Sequence, residues 1–255
     1  MAKPALDLNR IPEFLTLFHT SDINHKINRH WILQMIRDGI KSELDMDLAL
    51  RCVLFRMLFD FYHSILADST TQNLILEIVN VSVKIPKAQL LLVRGYSLLV
   101  WLNNVTIKIF NNDRIGIKLI VNIIRNLVNN SVKIKDIDHN LFMLVTIMKN
   151  LIPKLTRNLD NDVLNNYLMT LNDLSRIELF NEVIRKNDIE LLVNLLNKIT
   201  QIDVDECIDI INNGCKFINR HELTDITSKN NNNQVYSIQY NLKKLIINWQ
   251  SHNVE

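Results

Sequence analysis

The chain has 255 residues, 47% hydrophobic and 22% charged, with a formal net charge of +2 at pH 7. That is enough apolar material for one elongated domain or two small ones. A charge this close to balance excludes a module that holds nucleic acid through bulk basicity. Four Gly and four Pro are too few for the closely spaced turns of a strand-based fold.

The breaks along the chain are instead Asn, Asp and Ser, which suit helix caps and short helix connections. The 34 Asn, set among abundant Ile and Lys, are read as a compositional bias rather than as amide chemistry. The three Cys, at positions 52, 207 and 215, form no disulfide framework, and without a secretory leader they indicate a reducing compartment. Cys207 and Cys215 are read as small core residues. Charge is distributed unevenly: residues 101–158 carry nine Lys/Arg against three Asp/Glu, whereas residues 159–228 carry six against thirteen.

In chain order, Pro12 opens a short first helix through Phe18. Asp22 and Asn24 precede a helix through Trp31, whose apolar face is expected to hold Ile27, Trp31, Ile32, Met35, Ile36 and Ile40. Gly39 supplies its C-terminal cap. Trp31 is expected in the core, where truncation to Ala would cost about 3–5 kcal/mol. Lys26, His30, Arg37 and Lys41 gather on one flank with Gln34 beside them. This basic edge is the candidate RNA- or partner-binding surface, because phosphate recognition needs cations along one exposed face. The alternative is a solvated flank in which Arg37 or Lys41 pairs with a carboxylate. Arg29 lies beside the apolar face, placed to lay its stem over the core edge or to pair across it.

Asp45 or Asp47 caps a helix expected to run unbroken to about His63. Asp68 and Ser69 precede another, Pro86 ends it and starts the next, and Gly95 breaks the chain before a helix over Ser97–Ile109 that contains Trp101, a core residue. Further helices are expected over Arg114–Asn129, Asp138–Ile152, Asp160–Leu171, Asp188–Ile199 and Asp203–Ile218. Ser175-Arg176-Ile177-Glu178 is a capping-box pattern. Residues 223–234 read as a polar loop and residues 235–252 as a terminal helix, with Trp249 as a candidate partner-docking residue. The longest uncharged apolar stretch, Gly95–Ile107, falls short of the ~18 residues a membrane span needs, and MAKPALDLNR has no apolar signal core. No membrane association is therefore expected.

The expected fold class is all-α: stacked antiparallel helices forming an armadillo- or HEAT-like α-solenoid segment, a single all-helical domain over residues 1–255. Arrays of that kind repeat every ~40–47 residues, although no sequence repeat stands out. The extended stack is favoured over a closed bundle because no long connection occurs. The four Gly are isolated, so no phosphate loop is present, and HExxH, CxxC and Gly-x-Ser-x-Gly patterns are all missing. Asp136 and Asp138 form half a calcium loop without its glycine or distal Glu, and read as a cap. No enzyme activity, metal or cofactor is expected.

Four stretches carry a resemblance: WILQMIRDGIKSELD at 31–45, FYHSILADSTTQNLILEIV at 61–79, VKIPKA at 83–88 and RGYSLLVWL at 94–102. Together they resemble the C-terminal domain of the nucleolar pre-ribosomal-associated protein 1 family, large Urb-type scaffolds of ribosome biogenesis. The resemblance is best over residues 20–110, and residues 111–222 continue as a further helical stack. It implies a non-enzymatic scaffold in the nucleus and nucleolus, supporting maturation of large-subunit and 5.8S rRNA. The implied partners are other assembly factors, including a helicase, with pre-rRNA contact in addition. Family members are far longer, which implies that this chain is a fragment of a longer helical-repeat protein. The competing expectations are an armadillo-like adaptor for peptides, unrelated to ribosomes, and an enzyme whose site is assembled from distant residues.

Overall fold

The computed structural model describes residues 23–130, 137–155, 161–175, 241 and 244–245. Among these, nine α-helices and no strand occur: α1 Ile23–Gly39, α2 Glu43–Arg51, α3 Leu54–Tyr62, α4 Ser69–Ser82, α5 Pro86–Gly95, α6 Leu98–Lys108, α7 Arg114–Asn130, α8 Ile137–Leu151 and α9 Asn161–Leu174. A 3-10 turn, Ile152–Lys154, follows α8 at Pro153. The expected helix over Pro12–Phe18, the helices beyond residue 175, the Ser175–Glu178 capping box and the 223–234 loop lie outside the described residues, apart from Ser175 itself. The chain divides into two compact units, Met1–Leu102 and Asn103–Glu255.

Local chemistry explains most boundaries in the first unit. Asp68 caps α4 by accepting from the Thr71 amide, and Pro86 sits in the first turn of α5. Helix α2 starts one turn earlier than expected. Ser42 is its N-cap, and Asp45 closes a capping box by accepting from the Ser42 amide at 2.9 Å.

The helix expected from Asp45 to His63 is two helices. Val53, with φ 55°, adopts the left-handed conformation and ends the ladder after α2. This is costly for a β-branched residue. In the resulting orientation α3 buries Leu54, Phe55, Leu58, Phe59, Phe61 and Tyr62, and that burial offsets the strain.

Helix α1 also departs from expectation. Its buried face holds Arg29, Ile32, Leu33, Ile36 and Ile40, while Trp31 is 49% and Ile27 63% exposed. Trp31 is therefore not a core residue. The buried arc is turned by roughly a quarter of the circumference, counted at ~100° per residue, and Arg29 lies near its middle. Arg29 is 2% exposed, and its guanidinium carbon sits 5.7 Å from the centre of the Phe61 ring. Trp101 is a core residue as expected. It stacks on Phe59 with ring centres 4.2 Å apart and donates its indole N–H to the Phe59 carbonyl at 3.2 Å.

Three helix pairs in this unit are joined at nearly constant sequence distance. Contacts between α1 and α4, α2 and α5, and α3 and α6 link residues 38 to 46 positions apart. Lys26, His30 and Arg37 meet Asp68, Thr71 and Glu77 in the same order, so α1 and α4 run parallel.

The second unit behaves similarly. Asn150 donates to Asn103 at 2.9 Å, 47 positions away, and Asn166 to Asn122 at 3.2 Å, 44 positions away. Tyr167, fully buried, donates to the Met148 carbonyl at 2.8 Å, and burial pushes its phenol well above the ordinary range. Asn241 lies against α9, where its carbonyl accepts from Asn172 at 2.8 Å and its amide donates to Asn165 at 2.6 Å.

No single helix among the described residues is long and apolar enough to cross a membrane. Helices α5 and α6 meet at 78° around Ser97, whose φ is 51°.

Candidate functional site: the flank of the first helix

The basic edge is set by helical spacing. Lys26, His30 and Arg37 lie within one narrow arc of α1, turned toward α4, whereas Gln34 and Lys41 lie further round and are exposed. The structure thus brings three of the five candidates onto one carboxylate-bearing neighbour. Trp249 lies outside the described residues.

Asp68 is the centre of the arrangement. Lys26 Nζ lies 2.8 Å from one carboxylate oxygen, and His30 Nε2 lies 3.1 Å from the other. The same His30 nitrogen is 3.1 Å from the Thr71 hydroxyl oxygen. Partial burial alone would raise the Asp68 carboxyl. Hydrogen bonds from Lys26, Thr71 and His30 outweigh it and hold the group well below the usual carboxylate range. One side chain therefore caps α4 and anchors α1.

In the last turn of α1, Arg37 makes a second bridge. Its Nη1 donates to Glu77 at 2.6 Å and its Nε to Asp38 at 2.8 Å. The Asp38 bond, then the Glu77 bond, push the guanidinium further up, and Asp38 is lowered in return by Arg37. Both bridges keep substantial solvent contact, so each contributes on the order of 1 kcal/mol or less. Their geometric effect is larger: two fixed points about seven residues apart set the register of α1 on α4.

The cations and the capping Asp68 are visible in the sequence, but the bond between Lys26 and Asp68 is not. Pairing across about 40 residues has no local sequence signal. Among the described residues, no group of three or more His, Cys, Asp or Glu is placed to hold a metal.

Comparison with known proteins adds a separate observation. The chain is 32% identical over 97 residues to nucleolar pre-ribosomal-associated protein 1 of Homo sapiens, and 33% identical over 96 residues to the Mus musculus protein of that name. Each alignment covers 38% of this chain and 4% of the relative, so the matched stretch is a small part of those proteins. No solved structure matches. Residues 1–101, which include α1, α4 and both bridges between them, match the family model described as nucleolar pre-ribosomal-associated protein 1.

Proposed function

We propose that this chain is a non-enzymatic helical scaffold segment acting in nucleolar ribosome biogenesis, and that it corresponds to the C-terminal domain of the Urb-type scaffolds. The match of residues 1–101 carries this reading. Within it, the segment serves assembly of the large subunit and maturation of large-subunit and 5.8S rRNA, alongside other assembly factors that include a helicase.

A HEAT- or armadillo-like build for each unit is part of the proposal. Hydrogen bonds recurring at 40 to 47 positions support it, since that is the length of one such repeat. So does the parallel course of α1 and α4, because equivalent helices of successive repeats run the same way. On the α1 edge, Lys26, His30 and Arg37 hold α4, while exposed Gln34 and Lys41 face outward to a partner. The adaptor reading would use Asn side chains to grip a peptide backbone. Here Asn103 with Asn150 and Asn122 with Asn166 bond each other, which favours the scaffold.

The test is to tag the protein at its own locus and deplete it. Nucleolar staining, co-sedimentation with large-subunit precursors and accumulation of unprocessed 5.8S precursors are expected. Cytoplasmic staining with unchanged rRNA processing would refute the proposal.

A further inference from the structure

The turn joining α6 to α7, in the second unit, presents an aromatic side chain that the fold does not use. Phe110 is 78% exposed, and Ile107 and Ile115 on either side are 56% and 59% exposed. The turn itself is firmly held. The Asp113 amide donates to the Phe110 carbonyl at 3.1 Å, and the Asp113 carboxylate accepts from the Gly116 amide at 2.9 Å. Beneath it, buried Lys154 donates to the Ile109 carbonyl at 2.6 Å. Three large apolar side chains at one anchored turn stay in water and gain no core burial, which is the pattern of a contact surface.

Charge indicates the class of partner. Lys108 and Arg114 flank the turn, Lys118 follows one helical turn later, and all three are exposed. Asp113, the one acidic residue among positions 101–130, is committed to capping α7. Among the described residues neither Lys108 nor Arg114 forms an ion pair. This contrasts with α1, where Lys26 and Arg37 are engaged by carboxylates. An aromatic face beside Lys108 and Arg114 is the chemistry that binds an unpaired nucleic-acid strand, with a base stacking on the ring and the phosphates meeting the two cations.

We infer that the α6–α7 turn is a contact for single-stranded nucleic acid, with Phe110 as the stacking residue and Lys108 and Arg114 as the phosphate contacts. The choice of RNA over DNA rests on the proposed nucleolar role; the stacking site does not.

Fluorescence anisotropy of the whole chain with a 12-nucleotide oligouridine, and separately oligothymidine, tests this outside the cell and independently of the depletion experiment. Phe110→Ala should weaken binding to either strand about tenfold or more. Lys108→Glu with Arg114→Glu should weaken it further and reduce the salt slope by roughly 1.4. Lys84→Glu, an exposed cation elsewhere, should leave binding unchanged. Because these side chains are exposed, melting temperature should not move and serves as the folding control. Failure of either strand to bind, or binding insensitive to Phe110→Ala, would overturn the inference. So would an equal response to Lys84→Glu, or preference for an oligoglutamate peptide. Binding to both strands with a Phe110 dependence would uphold the site.

Discussion

Lys154 donates its ammonium to the carbonyl oxygen of Ile109 across 2.6 Å while only 8% exposed, and so closes the C-terminal end of α6 from the 3-10 turn after α8. The last carbonyls of a helix lack internal partners and carry partial negative charge, so a cation there satisfies both needs. The cost is desolvation, which lowers the Lys154 pKa from its ordinary value of 10.5.

A lysine whose folded pKa lies below its unfolded value binds fewer protons when folded in the window between the two. Stability from it therefore rises with pH toward 10.5. Lys154→Met should cost about 1–3 kcal/mol near neutrality, because the carbonyl of Ile109 is left without its donor. The stability difference between parent and variant should widen as pH is raised into the alkaline range. Urea unfolding across that range checks it, and a narrowing difference would contradict the assignment.

Asp68 offers a separable pair of variants. Asp68→Asn keeps an acceptor for the Thr71 amide but removes the charge that holds Lys26 and His30. Asp68→Ala removes both, and should be less stable than Asp68→Asn by about 1 kcal/mol. The folded carboxyl is depressed, so its contribution is present above the ordinary value of 3.8 and is lost as pH falls through and below it. The advantage of the parent over Asp68→Asn should fade in that acidic range. Equal stability of the two variants at neutral pH would show that the cap contributes nothing.

Trp31 and Trp101 should respond differently. Trp101→Ala empties a stacked, hydrogen-bonded core position and should cost about 3–5 kcal/mol. Trp31, half exposed, should cost under about 1.5 kcal/mol. Thermal melting of both variants decides it, and equal losses would place Trp31 in the core.

Val53→Gly should stabilise. Glycine adopts φ 55° without the Cβ penalty, and Val53 is 46% exposed, so little burial is lost. The gain is on the order of 1 kcal/mol before the extra freedom of unfolded glycine is subtracted. A lower midpoint in denaturant would mean the valine side chain packs better than its exposure indicates.

The boundaries legible in the sequence were those written by one residue type acting on its own neighbours, such as Asp68 at a cap and Pro86 in a first turn. The all-helical class was legible too, because composition and period agreed along the chain. The break at Val53 was not, since it lacks the glycine or proline that usually signals one and is decided by what α3 buries. The buried face of α1 is not legible in the sequence, because Arg29 near the middle of the buried arc breaks its apolar pattern, while Trp31 and Ile27 extend an apolar pattern on the outside. The basic edge was visible as a row of cations. Its carboxylate partners were not, because Asp68 and Glu77 lie 42 and 40 positions from the cations they hold.

That recurring separation also bears on how the chain folds. The entropy lost in closing a loop grows only with the logarithm of its length. In the first unit, the bonds joining α1 to α4, α2 to α5 and α3 to α6 all close loops of 38 to 46 residues. Each such interface therefore forms against nearly the same entropic cost, and none of the three must wait for a closure of much longer range.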